Sequence, residues 1–391
     1  MWKKPWRYRE GFLIGGGLLA IGTILQCTTG AVEWELFAWP VNLIVLLLFM
    51  LAIAIIYAMH KKVYALGWMM QYHAAIPALI YAMALTIVMG LTVQTSDGGI
   101  PWLSQMLSFW PFVLIYTWMT LIAGLVTIRR AANFKMKEIP FLLNHLGVFM
   151  AITFATLGYA DMHKLKMTVK TGTPEWRATD DNNAIHEPGL AIELHKFILE
   201  EYPPKVVLVD NETGKVVHSK DNEGWDIEIL SELHDAAPVN SEDGQRYEHW
   251  HSPGSTCAME IRARRGNIEK KGWISSGSFV FPHTPMNLDE RYSLAMPERE
   301  PKRYASEITV YTQKGETIKG TVEVNKPLKV DGWKIYQYSY DSRLGKWSTT
   351  SIFELVKDPW LPFVYAGIYM MLAGALCLLF VMAPKPIKTE N

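Results

Sequence analysis

The chain has 391 residues, half of them hydrophobic, with 38 Lys and Arg balancing 38 Asp and Glu. Zero net charge and the lack of a basic tract argue against nucleic acid as a partner. The three cysteines, Cys27, Cys257 and Cys377, form no Cys-x-x-Cys and no Cys-x-x-Cys-His, so the chain is neither a thiol oxidoreductase nor itself a c-type cytochrome.

Six apolar runs reach the roughly 20 residues needed to cross a bilayer core of about 30 Å as helices. They fall at 11–29, 40–59, 74–94, 109–128, 140–159 and 361–382. The first carries Gly15-Gly16-Gly17 and ends in Ile21-Gly22-Thr23-Ile24-Leu25-Gln26, small residues that let helices approach closely in lipid. It is too long for a removable signal peptide and has no small-residue cleavage site. The fourth is followed by Arg129-Arg130, and the fifth contains Leu143-Asn144-His145-Leu146-Gly147.

Lys and Arg in the short segments set the orientation. With the N-terminus cytoplasmic, that side holds Lys3, Lys4, Arg7, Arg9, Lys61, Lys62, Arg129, Arg130, Lys135, Lys137, Lys385 and Lys388. The opposite loops, 30–39 and 95–108, hold none. Both termini are therefore expected in the cytoplasm of a bacterium, and the polar 160–358 block outside its plasma membrane.

That block reads mainly as β. Lys205–Asp210, Lys215–His218, Ile308–Thr312 and Ile318–Val324 are short β-branched runs separated by turns. Leu190–Glu201 has helical spacing, with Leu190, Ile192, Leu194, Phe197 and Ile198 apolar, and stops at Tyr202-Pro203-Pro204. From Val322 to Asp341, two strands flank a turn in which Asp331-Gly332 supplies the positive φ. The expectation is an α+β membrane protein with five transmembrane helices in 1–159, a mainly antiparallel-β extracytoplasmic domain at 160–358, and a last helix and tail at 359–391.

Asn325-Lys326-Pro327-Leu328, then Gly332 and Tyr336-Gln337-x-Ser339-Tyr340, resemble the strands that close the extracytoplasmic domain of the ResB (CcsB) family. That family belongs to system II of cytochrome c biogenesis. Ile21-Gly22-Thr23 through Gln26, the Asn144-His145 helix, and Asp358-Pro359-Trp360 with Val364-Tyr365-Ala366-Gly367 also look like family elements. The pattern expected of the family has three helices before the soluble domain. Here there are five, and the extra pair falls in 61–108.

His60, His73 and His145 lie in or beside the membrane, near cytoplasmic helix ends. His145 sits about five residues, or ~8 Å, into its span, where an ionisable group needs a partner. Neutral imidazole is also a common haem ligand. The resemblance implies that His145 supplies one axial ligand of a transient haem b shared with a CcsA-type membrane partner, which brings the other. His73 is a secondary candidate, with interfacial anchoring as its ordinary reading. Trp333, Tyr336, Tyr338 and Tyr340 either line a surface for an unfolded polypeptide or porphyrin, or pack the sheet. His249-Trp250-His251 offers too few ligands for a metal and reads as a solvated strand end.

No catalytic residue or hydrolase, Walker or dinucleotide motif appears, and the Trp-Trp-Asp loop that resembles the partner's haem-presenting site is absent. The resemblance therefore implies a haem-handling subunit of a cytochrome c synthase with no autonomous activity. It would act with the CcsA-type protein on apocytochrome c, with thiol-reducing proteins as further partners. A b-type haem respiratory subunit and a structural anchor are the alternatives.

Overall fold

The computed structural model describes residues 2–94, 100–218, 222–241 and 244–381. Lys385, Lys388 and the 95–99 part of the second loop free of Lys and Arg lie outside the described residues. Two compact units form: Met1–Met162 together with the chain from Asp358, and His163–Lys357.

The first unit is helical: α1 Tyr8–Thr29, α2 Val41–Met59, the short α3 Tyr64–Trp68, α4 Tyr72–Leu91, the short α5 Pro101–Ser104, α6 Trp110–Ala132, α7 Ile139–Gly158 and α8 Leu361–Val381. Six of these are long and apolar enough to cross a membrane, and they coincide with the six apolar runs. Lipid supplies no hydrophobic drive between helices, so association rests on close backbone packing. The closest approach is between α7 and α8. A Cβ on Gly147 would lie 2.5 Å from both Gly367 O and Met371 N, and one on Gly374 would lie 2.6 Å from Asn144 N. Only glycine permits this contact. At the other end of the pair, Trp360 Nε1 donates to Asp161 Oδ2 at 2.6 Å. The same oxygen accepts from Asn42 Nδ2 at 2.7 Å, while Oδ1 accepts from Trp39 N at 2.8 Å.

The second unit consists of two lobes, one inserted in the other. It opens with β1 His163–Lys170, β2 Ala178–Thr179, β3 Ile185–His186 and β4 Leu190–Glu201. The inserted lobe follows with β5 Val207–Asp210, β6 Lys215–Val216, β7 Asp226–Ser241, β8 Gly244–His249, β9 Thr256–Arg265, β10 Ile268–Ser275, β11 Met286–Asn287 and β12 Tyr292–Ala295. The chain then returns through β13 Pro301–Thr312, β14 Thr317–Glu323, β15 Leu328–Val330, β16 Trp333–Tyr340 and β17 Thr350–Lys357. The sheet orders are β15-β16-β17-β1-β2-β3 and β14-β13-β4 in the outer lobe, and β10-β9-β7-β8 and β11-β12-β5-β6 in the inserted one. Each named strand pair is antiparallel.

Each lobe buries its own core. Leu165, Met167, Ile192, Leu194, Ile335, Phe353 and Leu355 fill the first, and Cys257, Met259, Ile261, Ile274 and Leu294 the second. The turn between β15 and β16 has φ of 48° at Asp331 and 83° at Gly332, as a tight two-residue hairpin turn requires.

One expectation is corrected. Leu190–Glu201 is not helical but forms β4, paired with β13. The register slips between Glu307/Lys196 and Ile308/Leu194, which leaves His195 as an extra residue. Leu190, Ile192 and Leu194 alternate inward, and the bulge shifts the parity so that Phe197 is buried as well. A bulged strand thus shows apolar residues at i, i+2, i+4 and i+7, which imitates part of a helical face.

The α7–α8 contact sets a stability expectation. Gly147→Ala puts a methyl against two backbone atoms and should lower resistance to SDS unfolding by about 1–3 kcal/mol. Gly17→Ala, whose Cβ meets nothing within 4 Å, should stay within about 0.5 kcal/mol. Superimposable unfolding curves for the two variants would show that the close contact is not what holds α8.

Candidate functional site

His145 lies in the second turn of α7. Its ring stacks on that of Phe141, one turn earlier, at 3.8 Å between centroids and 19° between planes. Nδ1 lies 3.0 Å from Phe141 O. A carbonyl only accepts, so Nδ1 carries the proton and Nε2 keeps its lone pair, the tautomer that a metal-binding imidazole uses. The surroundings of Phe141 are charged: the Arg130 guanidinium lies 4.6 Å from its ring centroid and pairs with Glu138 at 2.7 Å.

His145 lines a cavity of about 200 Å³ between α4, α6 and α7, walled by Ala78 and Leu79, Met119 and Ile122, and Val148. Asn144 also lines it, and its Nδ2 donates to Met371 O at 3.4 Å. Apolar walls with one imidazole suit the face of a porphyrin and one axial bond. The volume is below the roughly 300–1,000 Å³ of a complete ligand pocket, so a macrocycle held here would extend beyond this chain.

The other membrane histidines do not join it. His73 is two residues from Ala75, about 200° around α4 by helical geometry, and so turns away from the cavity that Ala75 lines. Its ring meets Tyr8 of α1 at 4.8 Å and Tyr72 at 4.0 Å. His60, just past α2, stacks on Tyr57 at 5.0 Å, and its Nδ1 bonds Tyr57 O.

The four aromatic residues of β16 do not share a face. Trp333 is buried, with Nε1 donating to Pro188 O at 3.1 Å. A register shift between Gln337 and Ser339 restores the inward direction at Tyr340, which stacks on Phe197 at 4.7 Å. Tyr336 and Tyr338 face outward, and Tyr338 is 54% exposed with Lys166 Nζ 5.2 Å from its ring centroid. In the His249-Trp250-His251 run, His249 ends β8 and His251 Nδ1 meets Asp235 Oδ2 at 2.7 Å. No group of three or more metal-ligating side chains occurs among the described residues.

A second cavity, about 460 Å³, lies between the two lobes of the β unit and has no local signature in composition or patterning. Leu199, Tyr340 and Leu344 face it from one lobe, and Ser255, Cys257 and Ser278 from the other. Asp235 joins the lobes through two residues that line it, Lys346 and Ser255: its carboxylate accepts from Lys346 Nζ, from His251, and from Ser255 Oγ at 3.1 Å. Burial alone would raise its pKa, but the bonds from Lys346, His251 and Ser255 outweigh that and hold it at about 2. Burial pushes the Cys257 thiol up to about 11, so it stays protonated and is a poor nucleophile. Lys346 is 111 residues from Asp235, a separation that leaves no local pattern. The Phe141–His145 pair, by contrast, is local, at an i, i+4 spacing within one helix.

Residues 288–353 match the model of the ResB-like family, which is consistent with a ResB/CcsB protein and suggests a role in cytochrome c biogenesis. The matched segment runs from the end of the inserted lobe into β17 and includes the whole β15–β16 hairpin. No curated protein matches the chain.

Asp235 makes the β unit sensitive to acid. Because its folded pKa is lowered from 3.8 to about 2, its stabilisation is present above pH ~4 and lost as pH falls towards 2. A shift of this size corresponds to about 2 kcal/mol. Asp235→Asn should therefore lower urea stability of the full chain at pH 7 by about that amount, read by tryptophan fluorescence, and flatten its pH dependence between about 4 and 2. An unchanged acid limb would mean that the lobes do not depend on this carboxylate.

Proposed function

We propose that this chain is a cytochrome c maturation subunit. Together with a CcsA-type membrane protein it takes haem as cargo from the cytoplasmic side, holds it between membrane histidines and supports its attachment to the Cys-x-x-Cys-His of an apocytochrome. The observation that carries this reading is His145. Its tautomer is fixed by Phe141 O and leaves Nε2 with a lone pair, and the residue lines an apolar cavity. The family match at 288–353 supports the biological context.

The division of labour follows from ligand number. Six-coordinate haem iron takes two axial ligands, and neither His60 nor His73 shares the cavity with His145. The second imidazole is therefore assigned to the partner, in keeping with a cavity too small for a whole macrocycle. The same arrangement disfavours the b-type respiratory reading, which needs matched histidine pairs within one chain. Thioether formation depends on holding haem vinyl groups and cysteine thiols in register, a matter of positioning that requires no protein nucleophile. Thiol-reducing proteins would keep those cysteines available.

Absorption of the purified protein tests the assignment. The chain purified with its partner should show a Soret band, which His145→Ala should largely abolish and added imidazole partly restore. Cytochrome maturation in the same cells should fall in parallel. An alanine variant with full haem content and normal maturation would leave only helix packing as the role of His145. Covalent attachment by this chain in a host without any partner would overturn the shared-ligand arrangement.

Sidedness is tested separately. With both termini cytoplasmic, alkaline phosphatase joined after Gly214 should be active and joined after Lys137 inactive. The reverse pattern would invert the direction of haem transfer.

A further inference from the structure

The solvent face of the six-stranded sheet carries an unusual row of charges. Lys329 on β15 lies directly opposite Lys334 on β16; Lys334 pairs across with Val356 on β17, and Val356 with Lys164 on β1. The next row holds Tyr336, Glu354 and Lys166. The core residues Val330, Trp333, Ile335, Leu355 and Leu165 occupy the opposite face, so every one of these lysines points away from the interior.

Two of the four lysines are neutralised. Lys164 pairs with Glu354 at 3.0 Å and Lys166 with Asp181 at 2.9 Å. Lys329 and Lys334 face each other, and among the described residues neither has a carboxylate partner. Like charges directly opposite each other across a strand pair are destabilising. An anion between them would remove that repulsion.

We propose that this face binds the anionic phospholipid headgroups of the bilayer that the chain itself spans. Lys164 is six residues beyond Gly158, and Val356 is five before Leu361. At no more than about 3.5 Å per residue, Lys164 and Val356 lie within roughly 20 Å of two membrane-helix ends, and Lys334 and Lys329 follow one and two strand spacings, about 5 Å each, farther along the row. The face also has an interfacial composition: ammonium groups beside Tyr336 and Tyr338, with half-buried Val356 and Ile352 between them. Tyrosine and lysine together are characteristic of the headgroup zone, whereas a surface built for an acidic protein would have no need to sit beside the membrane tethers. Lipid phosphate thus supplies the counter-charge that the sheet lacks.

The test uses the full chain in nanodiscs of phosphatidylcholine, alone or with about a quarter phosphatidylglycerol, and reads lysine acetylation by mass spectrometry. Lys329 and Lys334 should react severalfold more slowly with the anionic lipid. Lys270, exposed on β10 of the other lobe, should not change. About 0.5 M NaCl should remove the difference, since it shortens the screening length well below its physiological value. In K329Q/K334Q, whose thermal unfolding should match the parent, the lipid-dependent protection of Lys164 should disappear. Equal reactivity in both lipids would overturn the proposal. So would protection in phosphatidylcholine alone, or protection that appears only when a partner protein is added.

Discussion

The backbone contact between α7 and α8 is the constraint from which the rest of the architecture follows. Gly147, Gly367 and Gly374 let two helices more than 200 residues apart in sequence meet main chain to main chain. Because α7 leads into β1 and α8 follows β17, the helices that bracket the β unit are neighbours. The strands they continue into pair antiparallel from His163↔Lys357 onward. The chain thus leaves and re-enters the membrane unit as one two-stranded ribbon. Asp161 secures that exit, holding Trp360, Asn42 and the backbone of Trp39 with a single carboxylate.

The same helix carries the imidazole. Asn144 and Gly147 touch α8, while His145 and Val148 line the cavity, so one face of α7 is fixed by close packing and the adjacent face is free to bind. Phe141 then orients the histidine from one turn below through both its ring and its carbonyl. A backbone acceptor one turn earlier thus fixes which ring nitrogen carries the proton and leaves Nε2 facing away from its own helix backbone.

Much of this was legible in the sequence because it rests on local rules. Hydropathy located all six helices that are long and apolar enough to cross a membrane, and the positive φ demanded by Asp331-Gly332 located the hairpin. His145 stood out because a polar residue inside an apolar run is rare. What stayed hidden was set by non-local pairing. The bulge at His195 gave β4 the look of a helix, and only its register with β13 reveals the two-residue alternation. A second bulge, at Tyr338, split four aromatic residues between two faces, a parity change that no count of spacing can detect. The cavity beside His145 depends on which helices α4 and α6 approach, and the interlobe cleft on a lysine and an aspartate brought together by the insertion of one lobe into another.

The most recognisable stretch of the chain is spent on structure. In the Tyr-Gln-x-Ser-Tyr strand, Gln337 accepts from Ser306 Oγ at 2.6 Å and donates to Ser339 O at 2.8 Å, and Tyr340 stacks on Phe197. Buried polar groups with such specific partners fix one register of β16 and hence the alignment of the sheet built on it. The family match falls on this scaffold, at residues 288–353, whereas His145 lies well outside it. Likeness to the ResB-like family therefore speaks to how the β unit is built, and the haem assignment draws its weight from a different place, the geometry of one imidazole on α7. A subunit of this kind can be identifiable by its fold and still carry its chemistry in a single side chain, because positioning a cargo between two proteins asks more of the framework than of reactive groups.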